Sequence, residues 1–144
     1  MKKHKYLERI KTYTIEEYVS HILEIRIKCP ESMSEIRKRA YKVFFPTIYT
    51  IPTCNGCKLK ASFVAYELQT HGKHTTYNIY GVDSNKEEVM FTIDHILSQG
   101  EGGSRRALSN LQVLCYQCNE NKGKEESRRC EWKRKKNKNE TKIQ

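Results

Sequence analysis

The stretch Phe91-Thr92-Ile93-Asp94-His95-Ile96-Leu97, resumed at Asn110-Leu111-Gln112-Val113-Leu114-Cys115-Tyr116-Gln117-Cys118-Asn119, decides how this chain is read. It sets an acid beside a histidine, then an asparagine, then a Cys-x-x-Cys pair with a second asparagine directly behind it. A further pair, Cys54-Asn55-Gly56-Cys57, lies upstream. Two such pairs match a tetrahedral zinc site with thiolates supplied two and two. The interval from Cys57 to Cys115 is too long for a compact finger, so the intervening fold must bring the pairs together as two knuckles. With all four positions taken by protein, such a zinc ion has no open place for a substrate and is structural.

Working outward, Ser62 to Gln69 is apolar and aromatic, Thr75 to Val82 alternates, and Glu87 to Ile93 leads into Asp94. These spacings predict three antiparallel strands in a meander that deliver Asp94-His95 at the end of the third. Thr70 to His74 and Asp83 to Lys86 are the turns between them, with His71 and His74 read as plain surface histidines. A loop rich in Gly, Ser and Arg follows from Ser98 to Ser109, then a short strand at Leu111 to Leu114 and a helix starting near Cys118. On the N-terminal side, Thr14-Ile15-Glu16-Glu17 and Ser32-Met33-Ser34-Glu35 have the form of capping boxes. They open two apolar-periodic runs, Ile15, Tyr18, Val19, Ile22, Ile25 and Ile36, Ala40, Val43, Phe44, which end at Cys29-Pro30 and before Pro46. The expected architecture is α+β: an N-terminal helical hairpin, an antiparallel meander, a metal-fastened core and a basic C-terminal helix. The expected divisions are residues 1–50, 51–125 and 126–144.

Composition narrows the partners. The chain has 144 residues, 37% hydrophobic and 31% charged, with a formal net charge of +10. A core that small for its length gains from a metal staple. Residues 121–144 hold ten Lys or Arg against four Glu, six of the ten net charges. A basic surface of this kind favours a polyanion, nucleic acid first. No apolar run is long enough to span a bilayer and no signal-peptide core follows the basic start, so the expected location is cytoplasmic, with no membrane partner. In a reducing compartment six cysteines argue for metal ligation over disulfides. Four fall in the two pairs, and Cys29 and Cys130 stand alone.

From Cys54 to Gly123 the order of motifs (Cys-x-x-Cys, Asp-His, Gly-rich loop, Asn-Leu, Cys-x-x-Cys-Asn-x-x-Lys) resembles the HNH endonuclease family. Asparagine at 119, where others have the last histidine, is similar to the phage endonuclease VII type. The resemblance implies a ββα-metal finger and the hydrolysis of DNA, double-stranded, to 5′-phosphate and 3′-hydroxyl ends. It implies His95 as general base, Asp94 and Asn119 as ligands of a catalytic cation, and Asn110 as the residue that pins the loop and orients His95. It also suggests a free-standing phage-type homing enzyme working in the host cytoplasm, with a homodimer or two binding events needed for a double-strand cut.

Elementary chemistry is consistent with these roles. A histidine can take a proton from water near neutral pH. Carboxylate and amide oxygens suit Mg²⁺, with Mn²⁺ as the alternative, while the histidine-rich set that favours Zn²⁺ is absent. Adjacent strand residues point to opposite faces, so Asp94 and His95 can serve one phosphate only if the chain turns just after them. Arg105 and Arg106 in the loop, and Lys122 one helical turn beyond Asn119, are candidates for phosphate contact. Arg128, Arg129, Lys133 and Arg134 are candidates for sequence-independent affinity. Blander readings stand beside these: Asp-His as a hydrogen-bonded turn, Asn119 as a helix cap, the basic tail as a solvated helix end. A zinc-stapled DNA-binding protein without chemistry is the competing function, and a module whose basic tail binds an acidic protein is the third.

Overall fold

The computed structural model describes residues 6–23 and 35–142. Within them the chain is α+β, as its patterning predicts. Strands β1 (Leu7–Thr14), β2 (Ala61–Gln69), β3 (His74–Val82), β4 (Glu88–His95) and β5 (Leu111–Cys115) form one antiparallel sheet in sequential order. Helices α1 (Ile15–Glu17), continued as a π-helical turn at Tyr18–Leu23, α2 (Glu35–Phe44) and α3 (Tyr116–Lys142) complete the described elements.

The three expected meander strands are present, and β1 adds a fourth partner at their edge that the sequence does not announce. Its residues are Leu-Glu-Arg-Ile-Lys-Thr-Tyr-Thr, mostly exposed, so the apolar alternation that betrays a half-buried strand is missing. An edge strand needs only main-chain pairing and is safer carrying charge. It runs beside β2 from Leu7↔Gln69 to Thr14↔Phe63, with a bulge between Arg9 and Lys11.

Thr14 then caps α1, its Oγ1 accepting from Glu17 N–H at 3.1 Å. The predicted helix starts where the capping box says but is one α-turn followed by the π-turn. Helix α2 ends at Phe44, before Pro46. The segment holding Ile25, Cys29-Pro30 and Ser32 lies outside the described residues. Tyr18 is fully buried and joins the two helical pieces, its ring 6.1 Å from Tyr41 and 5.9 Å from Phe45.

That aromatic group covers one face of the sheet. Val64, Ile79, Phe91 and Val113 point into the same core, with Ile15, Val19, Val43 and Phe44 packed around it. Burying such side chains contributes roughly 1.5–3 kcal/mol each before the cost of ordering the chain.

The opposite face carries a polar network. Glu67 is only 3% exposed. Its carboxylate accepts from the Tyr80 hydroxyl, from Asn78 Nδ2 at 2.9 Å and from Arg9 Nε at 3.4 Å. Arg9 also forks onto Glu88 at 2.9 and 2.8 Å, with its guanidinium over the rings of Phe63 and Tyr80. One arginine thus fastens the edge strand to β2, β3 and β4. Burial, and then the Glu67 carboxylate, push the Tyr80 phenol above the usual tyrosine range.

Strand β4 changes partner along its length. Glu88 to Met90 pair with β3, and Phe91 to His95 pair with β5. This hand-over swings the end of β4 away from the meander and presents Asp94 and His95 at the sheet's far margin, where α3 crosses it.

Candidate active site and metal centre

The two Cys-x-x-Cys pairs meet. The Sγ atoms of Cys54, Cys57, Cys115 and Cys118 lie within 4.8 Å of one another, with Cys57 and Cys115 at 3.8 Å. Four thiolates about 2.3 Å from a tetrahedral ion stand about 3.8 Å apart, so the set fits a metal ion. Main-chain geometry builds this site. Cys54 N–H donates to Leu59 O and Lys58 N–H to Cys54 O, closing the first knuckle as a tight loop with Lys58 at φ 65°. Asn55 N–H donates to Val113 O and Cys115 N–H to Cys54 Sγ at 3.2 Å, which docks that loop on β5. Gly56 is needed for room: a Cβ there would stand 3.0 Å from Cys118 Sγ. Burial acts to raise the Cys54 thiol, but amides of Cys115, Cys57 and Gly56 outweigh it and hold the group near about 6. Burial pushes Cys115 and Cys118 up.

Helix α3 begins at Tyr116, two residues before the sequence-based start, immediately behind β5. Asn119 is therefore inside the first turn and is not the cap. Its Nδ2 donates to Thr92 Oγ1 at 3.0 Å, and that hydroxyl donates onward to Leu114 O at 2.8 Å. The amide nitrogen is thereby oriented by β4, and the amide oxygen is left to face elsewhere. Lys122, one turn on, reaches Asp94, two residues beyond Thr92 on the same face of β4. Its Nζ lies 2.6 Å from Asp94 Oδ2 and also contacts the His95 carbonyl oxygen. Gln112, opposite Asp94 in the ladder, donates from Nε2 to the same oxygen at 3.2 Å. Asn55 of the first knuckle in turn donates to Gln112 Oε1 at 2.7 Å. A chain of two side-chain hydrogen bonds therefore runs from the cysteine cluster to the carboxylate.

His95 remains in the ladder, paired with Leu111, so its side chain leaves the face opposite Asp94. The turn comes directly after, at Ile96-Leu97. His95 Nε2 donates to Arg105 O at 2.9 Å. A carbonyl can only accept, so in this arrangement Nε2 carries the proton and Nδ1 keeps the lone pair. The loop that brings Arg105 back is clamped by Asn110. Asn110 Oδ1 accepts from Leu97 N–H at 2.9 Å, and Nδ2 donates to Leu97 O at 2.9 Å and Ser104 O at 2.7 Å. Gly102 takes φ 91°, and a Cβ on Gly103 would stand 1.9 Å from Leu97 O. Two of the loop's three glycines are thus used, Gly102 for a left-handed conformation and Gly103 for close approach.

Among the named cationic candidates, Arg105 and Arg106 are exposed on this loop. Arg128, Arg129, Lys133 and Arg134 are exposed along α3, with Arg129 Nη2 3.9 Å from Glu101 Oε1. Lys122 is not displayed like them but held between Asp94, His95 and, at 3.5 Å, Glu126. Sequence reasoning missed Thr92, Gln112, Asn55 and Glu126 as supports of the site. Their partners are set by ladder register and helix crossing, which local pattern does not encode.

The geometry thus joins a strand ending in Asp-His, a clamped loop, a second strand and a helix bearing Asn119 and Lys122. Residues 82–125 match the HNH endonuclease family model. The matched HNH segment begins at the end of β3 and takes in β4, the clamped loop, β5 and the first turns of α3. It covers just under a third of the chain and excludes the Cys54-Cys57 knuckle. No curated protein and no solved structure matches the chain significantly. The match supports a nuclease of HNH type, for which the substrate is a nucleic acid. No helix among the described residues is long and apolar enough to cross a membrane.

Proposed function

We propose that this chain is a metal-dependent DNA endonuclease of HNH type, fastened by structural Zn²⁺ in the four-cysteine cluster. The observation that carries the reading is His95, its Nε2 proton committed to Arg105 O, within the segment that matches the HNH family. The free lone pair then belongs to Nδ1, which takes a proton from a water as its oxygen attacks phosphorus. The P–O3′ bond breaks, leaving a 5′-phosphate and a 3′-oxygen that is protonated from solvent. Asp94, through its carboxylate, and Asn119, through Oδ1, would hold a Mg²⁺ ion, or Mn²⁺ in its place. Bound there, the cation supplies charge stabilisation for the phosphate and the leaving oxygen. Asn110 holds the loop that positions His95. Arg105, Arg106 and the exposed cations of α3 supply contacts to duplex phosphates, with steep salt dependence as their signature.

By this reading residues 51–125 are the nuclease core, 1–50 an accessory helical and strand segment, and 126–144 a DNA-binding extension. One HNH site cuts one strand, so a double-strand cut requires a homodimer or two encounters. A free-standing, phage-type homing role in a host cytoplasm is the biological setting the resemblance favours. The test is incubation of supercoiled and branched DNA with Mg²⁺, beside His95→Ala. Nicking that His95→Ala abolishes while DNA retention persists is the expected result. Absence of cleavage on every substrate, with retention indifferent to Mg²⁺ and to Asp94→Ala, makes the protein a zinc-stapled DNA binder instead.

A further inference from the structure

The position of Lys122 is unusual for a residue expected to wait for DNA. Its ammonium sits 2.6 Å from Asp94 Oδ2, against the His95 carbonyl oxygen and 3.5 Å from Glu126 Oε1. Carboxylate and carbonyl oxygens converging on one point are what a hard cation takes. The pair is no loose surface contact, since the side chains of Lys122 and Asp94 are only 22% and 17% exposed. Gln112 fixes Asp94 Oδ2 from the strand side, and the short link from Cys118 to Lys122 fixes the helix side. Asn119 lies one turn before Lys122 on the same helix face.

We infer that the Lys122 ammonium is a tethered occupant of the cation position, holding Asp94 until a divalent ion displaces it. The inference rests on Asp94 being a ligand of the catalytic cation, as proposed above. A divalent ion that takes Oδ2 competes with the ammonium for the same oxygen and is repelled by its charge, so binding there releases Lys122. The released side chain keeps Glu126 within reach, and a DNA phosphate is the further partner that fits it when substrate is present. Because binding linkage is reciprocal, DNA that draws Lys122 away raises affinity for the ion, and the ion raises affinity for DNA. The site thereby binds a divalent ion weakly until substrate arrives, with no moving lid.

The test uses the zinc-loaded full chain without DNA, titrated with Mn²⁺ and followed by electron paramagnetic resonance. Lys122→Met should bind Mn²⁺ roughly ten-fold more tightly than the unaltered protein, the scale of one charge-assisted hydrogen bond removed from a competitor. Lys124→Met, which removes a charge from an exposed position two residues along the helix and turned away from Asp94, should stay within about two-fold of the unaltered protein. Asp94→Asn should abolish the site in both backgrounds. Equal or weaker Mn²⁺ binding by Lys122→Met, with binding still dependent on Asp94, overturns the inference and leaves the nuclease reading intact. An equal gain in Lys124→Met overturns it as well, reducing it to net charge. Mn²⁺ binding that ignores Asp94 removes the metal-site reading itself, and this inference with it. Should Lys122→Met fail to fold, the unaltered protein decides: lysine-selective carbon NMR during Mg²⁺ titration should move the Lys122 signal in step with occupancy. A Lys122 signal that stays still overturns the inference.

Discussion

Replacing Asn110 isolates the clamp that places His95. The side chain makes three hydrogen bonds to loop main chain: from Leu97 N–H, and to Leu97 O and Ser104 O. The residue is partly exposed, so each bond contributes toward the lower part of the usual 0.5–1.5 kcal/mol, about 2 kcal/mol in all. Asn110→Ala should therefore raise hydrogen exchange at the Leu97 amide by roughly 30-fold. The Ile96 amide is the internal reference, because it donates to the Asn110 main-chain carbonyl, which the substitution leaves in place. Asn110→Asp is the sharper variant. It keeps an acceptor for Leu97 N–H but turns a second carboxylate oxygen toward two carbonyls, so it should loosen the loop at least as much as alanine does. Cleavage should fall in both while zinc content is unchanged, since Arg105, the partner of His95 Nε2, rides on the clamped loop. Unchanged Leu97 exchange in Asn110→Ala, or a native-like Asn110→Asp, would refute the assignment of the clamp.

Four further outcomes follow from particular contacts. Gly103→Ala forces the loop away from Leu97 O and should cost about 2 kcal/mol, a fall in Tm of roughly 4–8 °C, whereas Gly100→Ala, which meets nothing within 4 Å, should be silent in thermal melts. Cys57→Ser should lose the bound zinc and melt far lower, while Cys130→Ser, exposed on α3, should keep one zinc per chain by elemental analysis. Gln112→Leu removes the donor to Asp94 and the acceptor for Asn55, and should lower cleavage several-fold with zinc content unchanged. The Tyr80 phenol is held above its ordinary 10.0, so its contribution is complete below pH 10 and fades as pH climbs through the raised value. Phenolate absorbance should show one tyrosine ionising only as the protein unfolds, a component that Tyr80→Phe deletes at some cost to stability at neutral pH.

Much of this molecule was legible in its residues because the signals are local. An apolar aromatic run gives β2, alternation gives β3, the run into Asp94 gives β4, Thr14 gives a helix start, and Asp83 makes its turn by accepting from Asn85 and Glu87 amides. Proximity of the four cysteines also followed, since two thiolate pairs with metal-ligand spacing have few other uses in a reduced chain. The edge strand β1 was not legible: its stability comes from main-chain pairing and from Arg9 reaching Glu67 and Glu88, residues far away in sequence. Nor was the start of α3 legible, because β5 runs straight into it and the residue at the cap position is Cys115, whose Sγ accepts from Cys118 N–H at 3.5 Å in place of the usual Ser, Thr, Asp or Asn.

Asp94 and His95 show the division most plainly. Sequence alone determined that an acid and a base stand side by side at a strand end, flanked by thiolate pairs and followed by two asparagines. Only tertiary structure decided what each faces. The pleat sends them to opposite sides, the clamped loop returns a carbonyl that fixes the imidazole tautomer, and the crossing helix sets an ammonium on the carboxylate. Those partners are separated by ten and twenty-eight residues, and only ladder register and helix packing bring them to hydrogen-bond distance.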